Sequence, residues 1–114
     1  MFVQGKMFRQ GDVLIFSIEK IPSDVEVVFI SREQGRVVLA HGEVTGHHHS
    51  IAEQGVELVT TEHAQELLMW MTVTAPEPVA LTHQEHDTIL IPPGIYEVRR
   101  QREYSPAEIR RVAD

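Results

Sequence analysis

The chain has 114 residues, 42% of them hydrophobic, a net charge of −7 and no cysteine. That length builds one domain around a single modest core, and without cysteine there are neither disulfides nor thiolate metal sites, which fits a cytoplasmic protein. An acidic body argues against general nucleic-acid binding, and no apolar run approaches the roughly twenty residues that a membrane-spanning helix needs. The first residues also lack the basic head and long apolar run of a secretory signal.

In chain order, Gly11-Asp12 is a turn signal ahead of the continuous apolar run 13–18, the pattern of a buried strand. Pro22-Ser23-Asp24 marks another turn, and 25–30 is strand-like. Gln34-Gly35 reads as a tight turn into a strand over 36–40. After Gly42 and Gly46 come three consecutive histidines, and Gln54-Gly55 is expected to close a hairpin between 50–53 and 56–60. A strand over 67–74 puts Leu67, Met69, Met71 and Val73 on one face and Leu68, Trp70 and Thr72 on the other. Good helix formers in 62–71 compete with that reading, but the stretch is short and its flanks are β-branched. Short strands follow at 79–81 and 88–91, the second stopped by Pro92-Pro93-Gly94, and 95–102 alternates apolar and charged residues. Finally Ser105-Pro106-Ala107-Glu108 has a cap serine, a first-turn proline and a glutamate three residues after the cap, predicting a short helix over 106–112.

Nine or so short strands separated by Gly/Pro turns predict a mainly β protein. The expected architecture is a single domain over 1–114, a β-sandwich or small barrel of antiparallel strands with a short C-terminal helix. The charge is uneven along the chain: residues 1–98 carry fourteen acids against five bases, whereas 99–114 carry five arginines against three acids. Such a tail is expected to be a solvated edge or to pair with the protein's own acidic body or a second copy.

The chemistry concentrates in histidine. His47, His48 and His49 are consecutive, and His83 and His86 form a later H-x-x-H. On an extended segment His47, His49, Ile51 and Glu53 share one face, with His48 on the other; two such rings stand about 7 Å apart, within reach of one ion. The H-x-x-H spacing suits a turn with both rings facing one way. Should the two segments meet, His47, His49, His83 and His86 form a four-nitrogen set for a divalent transition metal: zinc, iron, nickel or copper. Glu85 is the preferred acid to orient a ligand ring from behind, with Glu53 as substitute. His41 and His63 are isolated and are expected to have ordinary surface or packing roles. No residue identifies itself as catalytic. The bland reading is a metal-free polar patch, in which the protein is a non-catalytic interaction or self-association module and the histidines line a pH-sensitive contact.

Known histidine signatures fail at Ile51, which breaks both H-x-H-x-H and H-x-H-x-D-H. Gly42, His47, His49 and Glu53 approximate the first motif of cupins, a resemblance of architecture, since His83 and His86 precede Pro92-Pro93-Gly94 where the second cupin motif places its histidine after it. A closer resemblance covers nearly the whole chain. Gln10-Gly11-Asp12-Val13-Leu14-Ile15, the stretch 42–49, Leu81-Thr82-His83-Gln84-Glu85-His86, and Pro92-Pro93-Gly94 through Tyr96 to Arg100-Gln101-Arg102-Glu103-Tyr104 resemble an uncharacterised family of small bacterial proteins. That resemblance implies a coherent small domain and carries no activity with it. The partner it leaves open is a small molecule or another protein.

Overall fold

The computed structural model describes residues 6–42, 44–62 and 68–101. Its strands form two antiparallel sheets. The larger runs in the order β1 (Met7–Gln10), β2 (Val13–Ile18), β10 (Gly94–Arg100), β7 (Leu68–Val73), β6 (Val56–Thr60) and β3 (Val28–Phe29). The smaller runs β4 (Val37–His41), β5 (His48–Ile51), β8 (Val79–Thr82) and β9 (Ile89–Ile91). The mainly β expectation therefore holds, as a sandwich of ten strands among the described residues.

The sandwich follows from period-two alternation. In β2 Val13 and Ile15 are buried while Leu14 and Phe16 are half-exposed; in β7 Met69, Met71 and Val73 face the core. These meet Val37, Leu39, Ile51, Val79, Leu81 and Ile91 from the smaller sheet in one apolar cluster, so each sheet buries one face against the other. Trp70, on the opposite face of β7, is also buried at 3% exposure.

Several expectations are corrected. Segments 50–53 and 56–60 do not form a hairpin: β5 pairs with β4 and β8, whereas β6 pairs with β3 and β7. The chain changes sheets between them, and Gly55 makes the change. It has a φ of +80°, its carbonyl accepts from Thr74 N and Ala75 N, and a Cβ there would lie 2.8 Å from Ala75 N. No side chain fits that approach. Gly55→Ala is expected to cost about 2 kcal/mol or more, from the left-handed conformation and the backbone clash together, read as a lower urea midpoint. The strand expected over 25–30 shrinks to Val28–Phe29, both exposed. Conversely β1 was not anticipated; it pairs with β2 through a tight turn at Gly11-Asp12. The helix expected over 106–112 lies outside the described residues, as does His63. No helix among the described residues is long and apolar enough to cross a membrane.

Candidate functional site

Three segments meet at one end of the sandwich: the β1–β2 turn, the start of β5 and the loop from β8 to β9. In β5 the pleat sends His49 and Ile51 inward and His48 and Ser50 outward. β8 lies antiparallel to β5 with Ser50 opposite Thr82, so one further step brings His83 beside His49. The loop then turns back and carries Glu85 and His86 over the same end. From the larger sheet, Gly11 closes the two-residue hairpin with a φ of +58°, the conformation that a glycine at the first loop position supplies. Its backbone lies against the rings: a Cβ there would come within 2.8 Å of His86 Nε2 and 3.2 Å of His49 Cε1.

The two histidine clusters thus come together. Ring centres stand 4.4 Å apart for His49 and His83, 4.6 Å for His83 and His86, 5.7 Å for His47 and His83, and 5.9 Å for His49 and His86. Around a tetrahedral ion held at about 2.0–2.1 Å by imidazole nitrogen, ring centres stand roughly 5 Å apart. The observed spacings bracket that value, with His83 in the middle of the group. Among the described residues, no three His, Asp or Glu side chains already surround a common ion position.

Hydrogen bonds decide which nitrogens are available. Gln10 Nε2 donates to the carbonyls of Leu81 and Asp87, each at 2.9 Å, so its Oε1 is the acceptor that meets His49 Nδ1 at 2.8 Å. Neutral His49 therefore carries its proton on Nδ1 and keeps a lone pair on Nε2. His47 Nδ1 likewise donates to Glu85 Oε2 at 3.0 Å, an arrangement that in the neutral ring puts the lone pair on Nε2. His83 has the opposite arrangement: its Nδ1 accepts from Glu85 N at 3.0 Å, so its proton sits on Nε2.

The electrostatics favour neutral rings at His49 and His83. Burial, then the neighbouring His83, depress His49 to a pKa of about 4 against an ordinary 6.5, and Asp12 only partly opposes them. Burial and His86 push His83 down as well. Asp12 Oδ1 stands 3.6 Å from His49 Nε2, too far for a hydrogen bond, while its Oδ2 accepts from Arg100 Nε at 2.9 Å.

Not every expected residue joins this group. Glu85 does, through His47. Glu53 does not touch the histidines: its Oε2 accepts from Ala80 N at 2.9 Å, because β5 ends at Ile51 and the alternation that put Glu53 on the face of His49 ends with it. His41 is exposed and pairs with Glu33 at 3.0 Å. Gln10, Gly11 and Asp12 were missed as site residues. The signals for them were a turn motif next to a strand and a place in the stretch 10–15 of the family resemblance, neither of which points to chemistry.

No curated protein and no solved structure matches the chain. A family model matches residues 9–101, a span that holds the β1–β2 turn, all four clustered histidines and β10. The chain belongs to the family described as a domain of unknown function, DUF8820.

Proposed function

We propose that His47, His49, His83 and His86 bind a divalent transition metal: zinc, iron, nickel or copper. The observation that carries this reading is four imidazoles from two segments, of which His47, His49 and His86 stand 4.4–5.7 Å from His83 and His49 stands 5.9 Å from His86. Gln10 and Glu85 support it by turning the Nε2 lone pairs of His49 and His47 outward from their own hydrogen bonds, the device that commonly orients ligand histidines. Neutral rings supply lone pairs at pH 7, whereas imidazolium could not. Full four-nitrogen binding requires His83 to turn away from Glu85 N. Three ligands with water in the fourth place would suit hydrolysis or small-molecule oxidation, and four would make a closed structural site. Arg100 lines a cavity of about 240 Å³ with Ile30, Leu39, Thr60 and Met69, so a small molecule there would lie one ion pair from His49.

The alternative is a metal-free interaction or self-association module. The Glu85 N–H bond to His83 favours it, since that ring is already satisfied without an ion. The absence of cysteine supports a cytoplasmic setting for either.

Elemental mass spectrometry on untagged protein, purified without chelator or nickel resin, separates the two. About one ion per chain is expected, with a melting temperature that rises on loading because only the folded chain holds the site. His49→Ala and His86→Ala should each abolish stoichiometric binding. No stoichiometric uptake after incubation with any of the four metals would refute the metal reading.

A further inference from the structure

The outer face of the smaller sheet carries a second polar constellation, independent of any metal. Arg36 is half-buried beside β4, just after the Gln34-Gly35 turn. Its Nε donates to Ser50 Oγ at 2.7 Å and its Nη2 to Thr82 Oγ1 at 2.8 Å. Ser50 and Thr82 are paired residues of β5 and β8, so the strands hold the guanidinium at a fixed place on the face.

Both of these partners are neutral. Among the described residues no carboxylate pairs with Arg36, in a chain whose net charge is −7. The nearby acids are engaged elsewhere: Glu33 with His41, and Glu53 with Ala80 N. A half-buried guanidinium that meets only hydroxyls has lost water without gaining a counter-charge, a cost that a bound anion removes.

The donors in use lie along one edge of the planar group. The end formed by Nη1 and Nη2 remains, and that fork matches the two oxygens of a carboxylate or phosphate. Ser50 Oγ also lies 2.9 Å from His48 Nδ1. Ser50 Oγ thus joins the guanidinium to the His48 ring, and in the tautomer where the hydroxyl donates to Nδ1, neutral His48 carries its hydrogen on Nε2. Arg36 and His48 therefore meet at a single, fully buried serine oxygen.

We propose that Arg36, with His48 beside it, binds a small oxyanion, a carboxylate or phosphate group, on the outer face of the smaller sheet. The test uses full-length protein freed of metal with a neutral chelator, because carboxylate chelators would compete for the site. Melting temperature and titration calorimetry are followed against inorganic phosphate and, separately, acetate, at constant ionic strength in chloride. A saturable response to one or both is expected, and the anion that saturates at lower concentration names the preferred group. Arg36→Lys keeps the charge and loses the fork, so it should bind at least tenfold more weakly; Arg36→Met should not bind. Because the protein carries no metal in this test, a response here is separate from the metal reading. No saturable response in wild type, or equal responses in wild type and Arg36→Lys, would overturn the proposal.

Discussion

Gln10→Leu is expected to remove about 3 kcal/mol of stability and to weaken metal binding by roughly ten- to a hundredfold. Gln10 is 2% exposed and makes three hydrogen bonds at once, to the carbonyls of Leu81 and Asp87 and to His49 Nδ1. A leucine of similar bulk takes one donor from each of the two carbonyls and the acceptor from the ring N–H, and a buried group left unpaired costs about 1–3 kcal/mol. The metal effect has a separate origin: nothing would then hold the His49 proton on Nδ1, so Nε2 loses its fixed lone pair. Gln10→Glu should not rescue either property. One carboxylate oxygen could still accept from His49, but the other would face two carbonyl oxygens that need a donor. Urea unfolding and competitive metal titration measure the two effects separately. A Gln10→Leu protein within about 0.5 kcal/mol of wild type would show that the amide does not pin the β1–β2 turn to the histidine loop.

Gln10 also shows where the sequence stopped being legible. His47, His49, His83 and His86 could be singled out because histidine is chemically loud and H-x-H and H-x-x-H spacings are readable in one dimension. Their meeting could not be read, because it depends on β8 pairing with β5 so that His83 follows Thr82 past Ser50, a register between segments some thirty residues apart. Gln10, though part of a stretch that carries the family resemblance, gave no chemical signal, for a different reason. A glutamine before a turn is ordinary in composition, and only burial against two backbone carbonyls makes it the residue that sets a tautomer. Glu53 failed in the opposite sense: its alternation argument was sound up to Ile51 and ended where the strand did.

The fold followed the same division. Local signals found β2, β4, β7, β8, β9 and β10 to within a residue or two, since alternation and Gly/Pro punctuation are local properties. Sheet membership was lost at Gly55, where a turn residue that closes hairpins elsewhere instead carries the chain from one sheet to the other. A glycine of positive φ serves both uses equally well. The deciding fact is the close approach of Ala75, which is a tertiary contact.

Acid is expected to destabilise the metal-free protein through His49. Its pKa is about 4 in the folded chain, against 6.5 for an exposed histidine, with burial the larger cause and the His83 ring the next. Between those values the unfolded chain takes up a proton that the folded chain refuses, so the unfolded state binds more protons and stability falls as pH falls. The contribution of this group is flat above pH ~6.5, changes by about 1.4 kcal/mol per pH unit down to pH ~4, and is flat again below, a loss of roughly 3 kcal/mol in all. His83, shifted the same way, adds to the slope. Urea midpoints from pH 4 to 7.5 should therefore fall steeply on the acid side, and His49→Gln, which keeps a donor toward Gln10 but cannot titrate, should flatten the curve. Superimposable profiles for wild type and His49→Gln would sink the assignment. Loading with metal sharpens the test: a bound ion competes with protons for the same lone pairs, so the loaded protein gains most at neutral pH and loses that gain as the rings protonate. The slope of the loaded protein should exceed that of the metal-free protein, and chelation should return it to the shallower curve.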